Sequence, residues 1–272
     1  MKKGFILMTI VLLVVSVFAM GCSNEASNGE EEGDKSLEAI KDKGTLVVGL
    51  DDSFAPMGFR DEAGELVGFD VDLAAATIER LGVEVEFQPI DWNSKELSLN
   101  SGEIDCIWNG FSITPAREKE VLFSKPYLAN KQIIIVLADS EITSKEDFAD
   151  QVVGAQINSS GYSALEAETE VFESLKDVTE YDTYDQAFSD LMADRIKAVV
   201  VDEVYGKYFI SKKPGTFKVL DDDFGTEEYG IGFRMEDKAL KSEIDSIMDE
   251  MKEDGTTAEI SEEWFGEDIV LK

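Results

Sequence analysis

Two residues of opposite charge stand out for the chemistry they allow. Arg117 closes the run Gly110-Phe111-Ser112-Ile113-Thr114-Pro115-Ala116-Arg117. Its planar guanidinium is a fork that matches a carboxylate. Thr114-Pro115 reads as a helix start, with Thr as the cap and Pro at the first helical position. Arg117 then falls in the first turn, where a cation is disfavoured by roughly a few tenths of a kcal/mol. Helix propensity gives no reason for it, whereas an anion bound at that turn does. The competing reading is a surface arginine paired with Glu118 or Glu120. Asp202 follows the apolar run Ile196 to Val201. It reads as the cap of a helix from Glu203 to Lys212, and a capping aspartate can still face a cleft. A buried zwitterion needs a partner for each charge, and this pair supplies one of each sign.

Other chemistries find less support. Histidine is absent, which removes the commonest general base and transition-metal ligand. The sequence shows no nucleophile–base pair, no phosphate-cradling loop and no clustered metal ligands, so neither metal nor cofactor is expected. Carboxylates are too abundant for counting to exclude a glycosidase-like pair, but nothing singles one out.

The elements that must position these residues alternate in type. Thr45 to Leu50 reads as a strand. Phe69 to Leu81 reads as a helix, with Phe69, Leu73, Ala76 and Leu81 near helical spacing, and Val83, Val85 and Phe87 alternate as a strand. Ser94 caps a short helix to Asn100, and Ile104 to Trp108 follows as a buried strand. A second unit runs from strand Val152–Gln156 through a helix from Ser159 or Ser160 to Thr169. Strand Asp177–Tyr181, helix Tyr184–Ala193 and strand Ile196–Val201 complete it. Such alternation predicts an α/β protein of doubly wound parallel sheets with helices on both faces.

The halves also match locally. Leu99-Asn100-Ser101-Gly102-Glu103-Ile104 lines up with Leu191-Met192-Ala193-Asp194-Arg195-Ile196, and the same offset carries Gly110 onto Asp202. Both then lie just past the carboxyl end of equivalent strands, where open α/β sheets bind ligands. Extended runs Lys131–Leu137 and Tyr229–Phe233 lead from one half to the other and back. An amphipathic helix, Ala239 to Met251, follows, and Trp264-Phe265 is expected to pack on the first lobe. The chain thus crosses twice. Tyr127–Lys131 and Thr226–Gly230 are read as a two-strand hinge that closes the lobes on a ligand.

At the amino terminus Lys2 and Lys3 precede an apolar run from Phe5 to Phe18, then Ala19-Met20-Gly21-Cys22. The run is short for a span and has the flanks of a secretory signal. The residues before Cys22 resemble a bacterial lipobox, which implies cleavage there and a lipid thioether on Cys22. An ordinary signal with an incidental cysteine is the alternative. Residues 22–35 read as a disordered tether. The chain carries 25 Lys and Arg against 58 Asp and Glu, a net charge of −33. That argues against nucleic acid and against docking on anionic lipid. Cys106, inside an apolar strand, reads as a buried core thiol.

Four segments carry a family resemblance: Gly68-Phe69-Asp70-Val71-Asp72-Leu73, Ser112 to Glu118, Phe123-Ser124-Lys125-Pro126-Tyr127, and Val153-Gly154-Ala155-Gln156. In that order and spacing the chain closely resembles the extracellular solute-binding proteins of family 3, receptors of polar amino-acid ABC importers, over roughly Ser36 to Phe265. Thr77-Ile78 departs from the pattern, at a position that concerns helix packing. The resemblance implies a two-lobed periplasmic-binding-protein-like fold of type II. Its lobe 1 comprises residues 36–128 and 229–272, and lobe 2 comprises 129–228. It also implies roles. Arg117 takes the ligand's α-carboxylate. Ser112 joins the carboxylate and ammonium contacts. The Gly110 carbonyl and Asp202 hold the α-ammonium. Ser160 donates to the carboxylate from the second lobe, as a helix start can. Asp51, Phe54, Trp92 and Gln156 contact the side chain. For Phe54 and Trp92 ordinary core packing is the alternative. Gly68-Phe69-Asp70 reads as structure at a helix start.

The function implied is a lipid-anchored, extracytoplasmic receptor, expected to be monomeric, that passes a free amino acid to a membrane permease. An enzyme on a small carboxylic acid, such as a dehydratase, and a ligand-sensing domain share this fold and remain as alternatives. With Arg117 and Asp202 satisfied by a zwitterion, Asp51 is left to seek a donor. Basic amino acids therefore rank first, glutamine second, cystine third and acidic ones last.

Overall fold

The computed structural model describes residues 33–272; the proposed export signal, Cys22 and nearly all of the tether lie outside the described residues. Helix α1 (Ser36–Lys43) leads into strand β1 (Thr45–Leu50). Strands β2 (Ser53–Phe54), β3 (Gly58–Arg60) and β4 (Leu66–Val67) make a small antiparallel sheet. Helix α2 (Phe69–Leu81) has the expected bounds and buries Phe69, Leu73, Ile78 and Leu81. Thr77, the departure from the family pattern, is fully buried there. Its hydroxyl donates back to the Leu73 carbonyl at 2.7 Å, so it costs the core no unpaired polar group. Then come β5 (Glu84–Pro89), α3 (Lys95–Ser101), β6 (Cys106–Ile107) and β7 (Leu122–Phe123).

Strand β8 (Leu128–Leu137) crosses to the second lobe, formed by β9 (Val152–Gln156), α4 (Ser160–Ala167), α5 (Thr169–Ser174), β10 (Asp177–Tyr181), α6 (Tyr184–Met192), β11 (Ala198–Asp202) and α7 (Glu203–Lys212). Strand β12 (Phe217–Tyr229) returns beside β8. After it come β13 (Gly232–Phe233), α8 (Lys238–Asp254) and α9 (Thr256–Phe265). Trp264 donates to Asp72 at 2.7 Å and Phe265 meets Phe69 edge-on at 5.1 Å, which docks the carboxyl end on lobe 1.

The two large sheets run β5-β1-β6-β13-β7 and β10-β9-β11-β8-β12. They correspond strand for strand: three parallel strands, then one strand antiparallel to them, then one antiparallel to that. The expectation of wholly parallel sheets is therefore corrected to mixed ones. A strand that arrives from the other lobe enters its sheet from the opposite end, so it runs against the parallel set. The local match between halves places β6 on the start of β11, each the middle strand of its sheet. Two shorter corrections concern caps and lengths. Ser94 makes no side-chain cap to α3; Asp91 instead caps the turn before it, accepting from Asn93 N at 2.9 Å. The Ile104–Trp108 run pairs as strand only at Cys106 and Ile107.

Candidate functional site

The loop after β6 sets the first wall. Gly110 has φ of 53°, a left-handed conformation that glycine adopts without strain. A Cβ there would stand 2.8 Å from the Phe54 ring, so no larger residue fits. Gly110 N donates to Asp70 Oδ2 at 2.7 Å, and the same carboxylate receives the Tyr127 hydroxyl at 2.9 and 3.0 Å. Asp70 thus pins the loop from α2, a role the sequence reading left out. Burial pushes its carboxyl up to about 7, against the opposing effect of those bonds.

Arg117 sits not in a helix but in a single 3-10 turn, Arg117–Lys119. Thr114 Oγ1 does accept from Arg117 N, at 3.2 Å, so the cap exists while the long helix dipole does not. The guanidinium lies 4.7 Å over the Phe111 ring. Nη1 donates to the Ser112 carbonyl at 3.0 Å and Nη2 to the Asn158 carbonyl, across the cleft, at 3.1 Å. These partners replace the surface pairing with Glu118 or Glu120. A guanidinium has five N–H groups, so three remain. Ser112 is held against the crossing strand by a bridge to Tyr229.

The second lobe answers with Ser160 and Asp202. Ser159 caps α4, accepting from Tyr162 N at 3.1 Å, and Ser160 begins the helix. The Ser160 and Ser112 hydroxyls meet at 2.9 Å. Asp202 ends β11 with 4% exposure. Its side chain does not cap α7, so the alternative reading of Asp202 as a helix cap falls. Its Oδ1 is engaged elsewhere, accepting from Tyr229 Oη at 2.6 Å, Asn130 Nδ2 at 2.8 Å and Gln132 Nε2 at 2.9 Å. Tyr184 Oη approaches Oδ2 at 3.3 Å. Burial first, and then the charge of Glu227, raise its pKa.

The side-chain end of the cleft revises one argument. Asp51 is buried but not unpaired: Oδ1 accepts from Ser53 N at 2.9 Å and Ser53 Oγ at 2.6 Å, and Oδ2 from Gln156 Nε2 at 2.8 Å. Burial still raises its pKa above the usual carboxylate range. The premise that Asp51 lacks an internal donor therefore falls. Phe54 is both wall and core: it stacks on Tyr205 at 5.4 Å and meets Tyr184 at 6.0 Å, both in lobe 2. Trp92 packs edge-on against Phe111 at 5.8 Å. Asn109 accepts from Asp51 N at 3.2 Å, and its buried Nδ2 has no partner among the described residues.

All nine residues named from the sequence line one cleft, joined by Asn109 and Ser159. Four neighbours were missed. Asn130 and Gln132 are alternate buried positions on β8, on either side of the half-exposed Lys131 and just ahead of the apolar run Ile133–Leu137. Glu227 accepts from both of them at 2.7 and 2.8 Å, yet in an acidic segment it looks like any surface glutamate. Lys95 is fully buried, donating to the carbonyls of Trp92 at 3.1 Å and Asn158 at 3.2 Å and pairing with Glu96 at 3.2 Å. Burial and Arg117 bring its pKa down to about 8.

A pair of mixed sheets facing across a two-strand crossing, with opposite charges past the strand ends, defines a two-lobed binding protein. The chain belongs to the bacterial extracellular solute-binding proteins of family 3, whose model matches residues 46–267. It is 30% identical over 261 residues to the L-cystine-binding protein TcyJ of Escherichia coli (strain K12), covering 95% of this chain and 94% of that one. It is 34% identical to a glutamine-binding protein of Geobacillus stearothermophilus, covering 87% and 94%. Among solved structures, an ABC uptake transporter substrate-binding protein from Streptococcus pneumoniae with bound histidine superposes with a TM-score of 0.85. That structure is 37% identical and covers 88% of this chain and 99% of its own. These relatives are amino-acid-binding proteins, and the type II two-lobed fold is shared with them. No helix among the described residues is long and apolar enough to cross a membrane.

Proposed function

We propose that this chain is an extracytoplasmic receptor, anchored through a lipid on Cys22, that binds a polar L-amino acid and delivers it to an ABC importer. Arg117 takes the α-carboxylate and Asp202 the α-ammonium, with Gly110 and Ser112 beside them. Asp51, Gln156, Phe54 and Trp92 receive the side chain. The observation that carries this reading is the convergence of Arg117 from one lobe and the buried Asp202 from the other on a single cavity. A zwitterion satisfies both without leaving a charge unpaired.

Basic and amide side chains rank first, now for a different reason. The cleft region holds the carboxylates of Asp51, Asp202 and Glu227 against the guanidinium of Arg117, while Lys95 is engaged by Glu96. An added cation is welcome there and an added anion is not. Asn109 Nδ2 and the spare capacity of Asp51 also suit an amide. The relatives named for cystine, glutamine and histidine fit the same range of polar ligands. A thermal-shift panel of the twenty amino acids with ornithine and cystine tests this on the full chain. The largest stabilisation is expected from arginine, lysine, ornithine, histidine or glutamine. A maximum at glutamate or at a branched aliphatic would overturn the ranking. A bound amino acid that comes back chemically altered would turn the reading to an enzyme.

A further inference from the structure

Lys95, which the assignment above leaves unused, is fully buried at the first residue of α3. An ammonium has three N–H groups and no acceptor. Three oxygens stand within reach of Lys95 Nζ: the Trp92 carbonyl at 3.1 Å, the Glu96 carboxylate at 3.2 Å and the Asn158 carbonyl at 3.2 Å. The first two belong to lobe 1, and the rings of Trp92 and Phe111 lie 5.0 and 5.9 Å away. Lobe 1 therefore holds the ammonium by itself with one donor to spare, and lobe 2 completes the third bond.

Asn158 is shaped to supply that bond. It lies in the turn between β9 and α4 with φ of 54°, the left-handed region that asparagine enters more readily than most residues. Its carbonyl accepts from two cations, Lys95 Nζ and, at 3.1 Å, Arg117 Nη2; its own Nδ2 reaches the Asn93 carbonyl at 3.4 Å. Three contacts to lobe 1 thus meet at one exposed residue. Neither Lys95, Asn93 nor Asn158 is part of the cleft wall that Arg117 and Asp202 line. No ligand atom is needed to form the bonds among them.

We propose that Lys95 and Asn158 form a clasp at the rim of the cleft, which stabilises the closed form without touching the ligand. It sets affinity and residence time for every amino acid the cleft accepts, and not the choice among them. A contact made only in the closed form multiplies the apparent affinity of all ligands by one factor, whereas a residue of the wall acts on each ligand differently. Lys95 is a positioning residue, acting through closure. The inference rests on the amino-acid reading above and goes beyond the residues assigned there.

The test is a double-mutant cycle on the full chain with L-arginine, L-histidine, L-glutamine and L-cystine, read by calorimetry and by stopped-flow dissociation. Lys95→Met keeps an unbranched side chain and removes the donors. Asn158→Val disfavours the left-handed turn and so moves the carbonyl. In the native background Lys95→Met is expected to weaken each amino acid that binds by about tenfold, chiefly through faster dissociation, with the factors agreeing within about twofold. In the Asn158→Val background the same change should cost no more than about twofold, because the partner carbonyl has already moved. Asn158→Gly keeps the turn and the carbonyl, so binding should stay within about threefold of the native value. An equal loss from Lys95→Met in both backgrounds would mean that Lys95 acts within lobe 1 or through its charge on the ligand, and the clasp would be wrong. No loss in the native background, or a loss that reorders the amino acids, would overturn it as well. In each of these cases the receptor reading stands. If the native chain binds none of the four amino acids, the receptor reading fails and the clasp falls with it. Should Lys95→Met or Asn158→Val not fold, Lys95→Leu or Asn158→Thr takes its place under the same criteria.

Discussion

At the scale of single residues, Arg117 combines three demands that another cation meets only in part. It stacks on Phe111, it bonds two carbonyls on opposite sides of the cleft, and it keeps three N–H groups for a ligand. Burial lowers its pKa, while Glu96, Glu227 and Asp202 act in the opposite sense, so it stays charged. Arg117→Ala removes charge-assisted bonds, each of which typically contributes about 1.5–3 kcal/mol. With two such bonds lost, affinity for the amino acid that gives the largest thermal shift should fall roughly 100-fold or more, read by calorimetry, at about 1.4 kcal/mol per factor of ten. Arg117→Lys retains the charge but loses the fork, so it should recover less than half of that free energy. A loss below about tenfold in Arg117→Ala would return Arg117 to the status of a surface residue.

At the scale of elements, Asp70 shows how a helix controls a loop forty residues away. It accepts from Gly110 N and from Tyr127, with 1% exposure. Its folded pKa of about 7 exceeds the value near 4 expected in the unfolded chain. Between those values the folded state holds a proton that the unfolded state has released. Stability should therefore fall as pH rises through about 4 to 7, by up to roughly 1.4 kcal/mol per pH unit for one proton, and level off above. Asp51 and Asp202, also raised, add slopes of the same sign. In Asp70→Asn the contribution of this one group should vanish. Urea midpoints at several pH values measure the difference between the two chains. Parallel curves would mean that Asp70 holds no proton in the folded state. The same elements show what a sequence discloses. Helix Phe69–Leu81 and strands Val152–Gln156 and Asp177–Tyr181 were legible because their apolar spacing is regular. Strand β12 was not. Its middle reads Leu-Asp-Asp-Asp-Phe-Gly, and its pairing with β8 shifts register at Val219/Asp223 and again at Asp223/Thr226, so no alternation marks it. Helix α5 buries no residue fully and carries no periodic face. Glu227 lies in the Thr226–Gly230 stretch that was read as hinge, and it escaped notice together with Asn130 and Gln132, which bond it.

At the scale of the whole molecule, the cavity exists only where the lobes meet. The covalent crossings are β8 and β12, paired from Leu128↔Tyr229 to Lys131↔Thr226. Polar contacts across the cleft include Asp51 with Gln156, Ser112 with Ser160, and Arg117 and Lys95 with the Asn158 carbonyl. The first two pairs and Arg117 belong to the cavity wall itself. Each such bond contributes about 0.5–1.5 kcal/mol net, and more where a charge takes part, so together they hold the lobes by only a few kcal/mol against the freedom gained on opening. A ligand that bonds Arg117 on one lobe and Asp202 on the other favours the closed form by its differential affinity for the two states. The open form must also be populated, because a cavity walled from both lobes admits no ligand while they touch. Small-angle scattering of the full chain should therefore give a smaller radius of gyration with saturating ligand than without. An unchanged radius at saturation would mean that the lobes are already shut in the absence of ligand. The crossing strands would then not be acting as a hinge, and the ligand would have to enter through local movement of the loop after β6 or of the start of α4.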